Sequence, residues 1–196
     1  MEESTLDFHA HSTAIVESDE IGEGTKIWHF AHVREKAKIG KNCNIGKGVY
    51  IDTEVIIGNN VKIQNFATIY RGVIVEDDVF IGPAVVFTND LYPRAFIWSE
   101  EKIEKTIVKK GASIGANSTV ICGIEIGKYA MVGAGSVVTK SVPPHALVYG
   151  NPAKLKGFVC YCGRKLEKIL KKKAESFVYE CHNCGEVVEI KKEWLR

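Results

Sequence analysis

The sequence predicts an all-β protein: a parallel β-helix of hexapeptide repeats, interrupted by one loop at about residues 88–107 and followed by a small cysteine-containing module. Three observations lead to this prediction. Apolar residues recur at every sixth position through most of the chain. That recurrence stops once, at the segment FTNDLYPRA, residues 87–95. Four of the six cysteines lie near the C-terminal end. We therefore divide the chain into a β-helix domain, residues 1–153, and a module, residues 154–196.

The repeat is nearly unbroken before the interruption. Stepping by six from the first isoleucine meets only apolar residues: Ile15, Ile21, Ile27, Val33, Ile39, Ile45, Ile51, Ile57, Ile63, Ile69, Val75, Ile81 and Phe87. The same step resumes at Val108. A period of six fits neither an α-helix nor a simple strand alternation. Three hexads then form one triangular coil whose apolar side chains stack inward, and we expect roughly six to seven coils.

A coil of three hexads predicts which side chains lie above one another. Gly115 should stack with Gly133 and Ala116 with Ala134, and Arg71 should lie one coil from Asn89. Another predicted column contains Trp28, Gly46, Gln64 and Gly82. From this arithmetic we expect the polar residues of IWHFAHVR, KIQN and YRG to line one cleft near the interruption. Small residues at the corners suit an extended ligand, although tight corners alone also require them.

The hexad pattern, with Gly after the apolar position, and the closing segment SVPPHALVYGNPAK (141–154) resemble the left-handed β-helix acyltransferases. The resemblance implies a left-handed coil, a homotrimer, and acyl-CoA bound in clefts between neighbouring subunits. The pantetheine arm of acetyl-CoA is an extended chain with two amides to satisfy, and lysines suit its phosphates. The cofactor residues expected on this basis are Gly115, Ala116, Gly133, Ala134, Lys140, Asn151 and Lys154.

FTNDLYPRA, together with IWHFAHV and KIQNFATIY, resembles the nucleotide-linked 3-amino-sugar N-acetyltransferases of polysaccharide synthesis. The best-known types act on UDP-2-acetamido-3-amino-2,3-dideoxyglucuronate or on a dTDP-3-amino-3,6-dideoxyhexose. The resemblance implies that Asn89 meets the amine. An Arg suits a diphosphate or a uronate carboxylate equally, so it does not separate the two acceptors. The expected substrate-binding residues are His29, Arg34, Gln64, Asn65, Tyr70, Arg71 and Arg94.

The interruption also bears on the reaction. Relatives in the wider class that acetylate a hydroxyl place a His at this loop as general base, whereas this loop offers Asn89 and Asp90. A neutral amine attacks unaided, so Asn89 would orient it and the departing thiolate would take the proton. The alternatives are an O-acetyltransferase with His29 or His32 as base and a noncatalytic scaffold. A γ-type carbonic anhydrase, which needs three converging His ligands, is the weakest alternative.

The tail resembles a zinc ribbon. Its cysteines, Cys160, Cys162, Cys181 and Cys184, form two pairs, each followed by Gly, and two such knuckles hold a tetrahedral structural Zn²⁺. The Cys-x-Cys spacing of the first pair departs from the usual Cys-x-x-Cys, and His182 is an alternative ligand. Disulfides and free thiols stay open as alternatives.

Charge and hydropathy limit the remaining classes. Residues 154–196 carry 11 Lys/Arg and 6 Asp/Glu, but the knuckles lack the interleaved aromatics of a nucleic-acid face, so nucleic acid is not the expected partner. No apolar run has the length of a membrane span, and the N-terminus lacks the pattern of a secretory signal. The sequence therefore predicts a cytoplasmic protein that has no membrane partner.

Overall fold

The computed structural model describes residues 7–195, most of which form a triangular solenoid with three faces of short parallel strands. The strands of the first face are His9–Ala10, Lys26–Ile27, Asn44–Ile45, Lys62–Ile63, Phe80–Ile81, Ser113–Ile114, Met131–Val132 and Ala146–Gly150. Those of the second face are Ile15–Val16, His32–Val33, Tyr50–Ile51, Thr68–Ile69, Val86–Phe87, Thr119–Val120 and Val137–Val138. Those of the third face are Lys38–Ile39, Ile56–Ile57, Val73–Val75, Thr106–Val108 and Glu125–Ile126. The predicted all-β solenoid is confirmed.

The stacking register follows the predicted coil of three hexads. Ile45 pairs with Ile63, which pairs in turn with Ile81, so each partner lies three hexads after the last. Across the interruption the spacing grows, because Ile81 pairs with Ile114. The inserted segment therefore lengthens one coil and leaves the stack above and below it in register. The repeat resumes because its apolar positions still face the same core.

The core is a column of branched aliphatic side chains, and its corners turn tightly. The inward Ile and Val residues from Ile27 to Val138 are almost completely buried. Several corner residues adopt a left-handed backbone, among them Phe30, Phe66 and Asn117. At Gly115 a Cβ would lie 2.4 Å from the backbone nitrogen of Ala134, so the coils approach too closely there for any side chain. Close stacking of coils explains the Gly that follows the apolar position.

The first coil departs from the predicted phase. Ile15 pairs with His32 and Val16 with Val33, so Val16 faces the core while Ile15 is 56% exposed. This coil is shorter than a regular coil by a single residue, as the pairing of His9 with Lys26 also shows. The solenoid has about eight coils, more than the six to seven expected. The difference arises because the coils begin at His9, before the first residue counted in the repeat, and continue through Ala146–Gly150.

The interruption is a projecting loop, as predicted, between the strands that end at Phe87 and begin at Thr106. It contains one short 3-10 helix, Glu100–Lys102, and a bridge between Arg94 and Ile97. Its apolar side chains are mostly in contact with solvent. The exposed members are Leu91, Tyr92, Phe96, Ile97 and Trp98. Apolar side chains clustered and exposed in this way are typical of surfaces that contact other molecules.

The C-terminal segment first extends the solenoid and then leaves it. Ala153–Phe158 pairs antiparallel with Ala146–Gly150. A three-stranded antiparallel sheet follows, formed by Lys168–Lys172, Ser176–Glu180 and Val187–Lys191, and a 3-10 helix, Lys192–Leu195, follows its last strand. The aromatic ring of Tyr161 packs edge-on against those of Tyr129 and His145 and so joins this segment to the solenoid. Within residues 7–195 no helix has the length and apolar character that a bilayer crossing requires.

Candidate active site

The corner between the first and second faces, which we call the cradle corner, carries small residues in adjacent coils. Its column consists of the residues that follow the inward Ile or Val of the first face: Trp28, Gly46, Gln64, Gly82, Gly115, Gly133 and Tyr149. The predicted columns of Trp28 to Gly82 and of Gly115 with Gly133 are therefore present. Ala116 and Ala134 lie above one another in the next column.

A shallow groove of about 390 Å³ runs along these small residues. It is lined by Phe80, Ser113, Ile114, Gly115, Met131, Val132, Gly133 and Ala134. The amide N–H groups of Gly115 and Gly133 donate to Val132 and Val148 within the coils, so they are occupied. Those of Ala116 and Ala134 have no acceptor among the described residues. An apolar groove beside two free amide donors suits an extended chain with polar amides.

The remaining predicted cofactor residues divide between two places. Asn151 and Lys154 are exposed and lie in or beside the hairpin turn that follows Tyr149, at the C-terminal end of the groove. Lys156 places its ammonium 5.3 Å from the centre of the Tyr149 ring. Lys140 instead follows the strand Val137–Val138 and lies in the column of Asn89, at a different corner. Within one chain the structure does not bring Lys140 to the groove.

The corner between the second and third faces, which we call the loop corner, carries Asn89 and the projecting loop. Asn89 is half-buried and lines a cavity of about 350 Å³ beneath the loop. The cavity is also lined by Asp90, Pro93, Arg94, Ala95, Ile97, Trp98, Ser99, Lys102 and Ile103. The side-chain amide of Asn89 has no hydrogen-bond partner in residues 7–195, so it is available to a ligand. No histidine lines this cavity in the described chain.

Two of the predicted substrate-binding arginines are engaged in ion pairs. Arg71 contacts Glu54 at 2.7 Å and Glu100 at 3.0 Å, and hydrogen bonds to these carboxylates raise its pKa. Arg34 contacts Glu17 and Glu35, and the bond to Glu35 is the main cause of its raised pKa. The guanidinium charges of Arg34 and Arg71 are therefore paired with carboxylates of the solenoid and of the base of the loop. Tyr70 is exposed at the same corner and packs edge-on against Tyr50.

Arg94 differs from these two arginines. Its guanidinium donates to the carbonyl of Pro93 at 2.9 Å and has no carboxylate partner in the described part of the chain. Arg94 is exposed and lines the same cavity as Asn89. Of the three predicted arginines it therefore has the most freedom to meet an anionic substrate.

His29, Gln64 and Asn65 lie at the cradle corner, away from Asn89. The ring of His29 stacks on that of His11 with centroids 3.5 Å apart, and the Asn65 side-chain oxygen accepts from the backbone N–H of Lys47 at 2.9 Å. The single cleft expected from the sequence is therefore not formed within one chain. His29, Gln64 and Asn65 follow strands of the first face, whereas Asn89 follows a strand of the second face. They therefore lie at different corners of the coil, and the whole width of the second face lies between them.

Three residues make contacts at these two corners that were not expected from the sequence. His11 stacks on His29 in the coil before it. Lys102 reaches back to Asp90 across the loop. Lys47 places its ammonium 5.9 Å from the ring centres of both Phe30 and Phe66, which are exposed at the cradle corner. The aromatic pair gave a usable signal, since Phe30 and Phe66 stand at a corner position of the repeat two coils apart. The sequence carries no such signal for the contact of Lys102 with Asp90, because contacts within a loop follow no period.

The four tail cysteines form one cluster. Their sulfur atoms all lie within 4.8 Å of one another, and His182 is not part of the group that the described residues form. The closest sulfur pairs, Cys160 with Cys184 and Cys162 with Cys181, are 3.5 and 3.6 Å apart, well beyond a disulfide bond of about 2.05 Å. Backbone N–H groups of Asn183 and Cys184 lower the pKa of the Cys181 thiol to about 6. Four thiols at this spacing fit a tetrahedral metal ion such as Zn²⁺.

Comparison with known proteins identifies the family. The family model "Bacterial transferase hexapeptide (six repeats)" matches residues 20–53, 54–89 and 105–140. A dTDP-3-amino-3,6-dideoxy-α-D-galactopyranose 3-N-acetyltransferase from Aneurinibacillus thermoaerophilus is 53% identical over 86% of this chain and 88% of its own length.

Two solved structures share the fold. A galactoside acetyltransferase in complex with coenzyme A has a TM-score of 0.54 and 25% identity over 61% of this chain and 64% of its own. A GDP-perosamine N-acetyltransferase from Caulobacter crescentus, solved with CoA and GDP-perosamine, has a TM-score of 0.52 and 24% identity over 76% of this chain. The present chain spans only 56% of that second protein. Together the matches show that the chain belongs to the bacterial hexapeptide transferases and that its solenoid is their left-handed parallel β-helix.

Proposed function

We propose that the protein is an acetyl-CoA-dependent N-acetyltransferase that acts on the 3-amino group of a dTDP-linked 3-amino-3,6-dideoxyhexose. The observation that carries the proposal is the Asn89 side chain, which lines the loop cavity with neither a hydrogen-bond partner nor a lining histidine among residues 7–195 of the same chain. The 53% identity to a transferase named for this substrate class supports the choice of acceptor. The product would supply activated amino sugars for surface polysaccharide synthesis in the cytoplasm.

The chemistry follows from the acceptor. A neutral sugar amine attacks the thioester carbon, its lone pair forms the new C–N bond, and the C–S bond of acetyl-CoA breaks. The proton lost by nitrogen ends on the departing thiolate, which leaves as the free thiol, so no protein base is needed. The Asn89 carboxamide oxygen would accept a hydrogen bond from the amine and aim its lone pair at the carbonyl carbon. That contribution is positional.

The cradle corner would hold acetyl-CoA. The pantetheine arm would lie in the groove beside Gly115 and Gly133, and the free N–H groups of Ala116 and Ala134 would donate to its amide carbonyls. Lys154 and Asn151 lie at the end of that groove where the phosphates would emerge. The coenzyme A complex of a galactoside acetyltransferase with the same fold supports a groove ligand of this class.

A homotrimer would unite the two corners. Within one chain the groove and Asn89 are separated by the second face, so a complete site needs the cradle corner of one copy beside the loop corner of the next. The exposed apolar tip of the loop, led by Tyr92, Phe96 and Trp98, supports such a contact. A closed three-fold ring places each loop on its neighbour and gives three equivalent sites. In that ring Lys140, two coils from Asn89 in the same column, would approach the cofactor bound to the adjacent copy.

The tail, residues 154–196, would be a module held by structural zinc. Cys160, Cys162, Cys181 and Cys184 would supply four thiolates, and the metal would contribute folding free energy to a sheet with few buried side chains. None of these cysteines lines the groove or the loop cavity. We therefore assign the metal no step in acetyl transfer.

The experiment is release of free CoA thiol when purified protein meets acetyl-CoA and a panel of acceptors. The panel contains dTDP-3-amino-3,6-dideoxyhexoses, the UDP-3-amino-uronate, and the matching 3-hydroxy sugars. Release with a dTDP-amino sugar, and mass-spectrometric gain of one acetyl group on its nitrogen, is the expected result. Preference for the uronate would correct the acceptor. Release only with hydroxyl acceptors would establish an O-acetyltransferase instead, and no release with any acceptor would favour a noncatalytic scaffold.

A further inference from the structure

The loop at the active site is organised by one lysine. The Lys102 ammonium is 2.7 Å from the Asp90 carboxylate, 3.0 Å from the carbonyl oxygen of Tyr92 and 3.3 Å from that of Ile97. An ammonium has three N–H donors, so all of them are used. These contacts join the first residues of the loop to its last, and only 23% of the lysine side chain is exposed.

Asp90 is the direct neighbour of Asn89 in sequence and in the cavity lining. Its second carboxylate oxygen accepts from the backbone N–H of Tyr92 at 2.7 Å, and the backbone oxygen of Asn89 accepts from Glu104 at 3.0 Å. The hydrogen bond from Lys102 is the main cause of the lowered pKa of Asp90. At neutral pH Asp90 is therefore a carboxylate beside the residue proposed to meet an amine.

The other charges around the cavity do not balance this carboxylate. Arg94 lines the cavity but donates to the Pro93 carbonyl. In the adjoining cavity, Arg71 is engaged by Glu54 and Glu100, and Lys105 is exposed. Within the described residues, Lys102 is the one cation in ion-pair contact with Asp90. Its loss would leave a bare negative charge close to Asn89.

We propose that Lys102 is a positioning residue: it neutralises Asp90, so that the carboxylate beside Asn89 does not hold the acceptor amine as an unreactive ammonium ion. This inference rests on the proposed N-acetylation. An amine can attack only as the neutral base, and a carboxylate within about 4–6 Å favours the protonated form. The ion pair with Lys102 removes that penalty. It also ties Asp90, the residue after Asn89, to the loop backbone at Tyr92 and Ile97.

The test is the pH dependence of kcat with both substrates saturating, because kcat reports ionisations of the bound complex. In Lys102→Met the acid limb, which marks loss of the amine proton, should move to higher pH by about one unit, as an added nearby charge does. Asp90→Asn should move the limb the opposite way, since it leaves Lys102 unpaired beside the amine. The double variant Asp90→Asn with Lys102→Met should return the limb to its original position.

Lys105→Met is the matched control, because it removes a lysine from the same loop that has no ion pair in the described chain; its limb should not move. Lys102→Arg should keep the wild-type profile. The inference is overturned if Lys102→Met loses turnover with its limb in place, since Lys102 would then only support the loop. If Lys102→Met does not fold, Asp90→Asn alone still decides, and a limb that stays or rises counts against the inference. A wild-type protein that acetylates no amine would instead remove the proposed function itself.

Discussion

The cradle corner and the loop corner are built from the same hexapeptide repeat but differ in what the repeat does there. At the cradle corner the repeat continues, and small residues in successive coils leave a smooth groove with free amide donors at Ala116 and Ala134. At the loop corner the repeat stops, and the inserted segment supplies Asn89, charged side chains and a cavity. Under the proposed function, the regular coils would provide binding, whereas the interruption would provide the groups that face the reacting atoms.

The largest expected effect comes from filling the cradle groove. Ala134 is exposed, so an indole at this position leaves the coil stacking intact but occupies the groove. Ala134→Trp should raise the KM for acetyl-CoA by about 1,000-fold, equivalent to roughly 4 kcal/mol of lost binding, with little change in kcat. Steady-state kinetics and calorimetry with CoA would measure it. Ala10→Trp is the control, because Ala10 is also exposed on the first face but lies in its first strand.

At the loop corner we expect a smaller effect, which falls on kcat and not on the KM for acetyl-CoA. Asn89→Ala should lower kcat by about 100-fold, as loss of one orienting contact does, while the KM for acetyl-CoA changes little. Thermal melting of the variant should match the wild type, since the Asn89 side chain has no partner in residues 7–195. An unchanged kcat would show that the amine is oriented by another group. A rise in the KM for acetyl-CoA alone would place Asn89 in cofactor binding and erase the contrast between the corners.

The smallest effect on either corner is expected from removal of the metal. A chelator should extract about one zinc per chain and expose the amides of residues 168–191 to hydrogen exchange, because the proposed metal would hold the sheet through the four thiolates. Both kcat and the KM for acetyl-CoA should stay within about threefold, since the sheet contributes no group to the groove or the loop cavity. Cys181→Ser should reproduce the chelator. A tenfold loss of acetyl-CoA affinity would show that the module shapes the groove, whose lining residue Met131 lies close to Gly163.

The sequence predicts the solenoid well because each hexad repeats one local requirement. Apolar spacing fixes the coil, the stacking columns and the position of the interruption, so Gly115 over Gly133 is read directly from arithmetic. The first coil fails because Ile15 and Val16 are both apolar, and the spacing does not tell which of them faces the core. The predicted number of coils is too low because, at both ends of the solenoid, the hexapeptide pattern weakens before the backbone pairing ends.

The sequence predicts the site less well, because the site depends on what the repeat does not encode. A column places residues along one corner, but the spacing does not say that two columns lie at different corners, as those of His29 and Asn89 do. Ion pairs are equally hidden, since the carboxylates that engage Arg71 come from another coil and from the loop. The cysteine cluster was predictable because two pairs of thiols near Gly have few other uses, and the departure in spacing proved compatible with one cluster.

The central claim is that one active site takes its groove from one copy and its Asn89 from the next. The most direct measurement is co-expression of Ala134→Trp and Asn89→Ala chains carrying different affinity tags, followed by purification of mixed oligomers through both tags. In a ring of three that carries both tags, about a third of the sites combine an intact groove with an intact loop from different copies. The account predicts that acetyl transfer recovers to about that fraction of wild-type turnover. Mixed oligomers no more active than the separate variants would contradict it, because both corners of a site would then belong to the same chain.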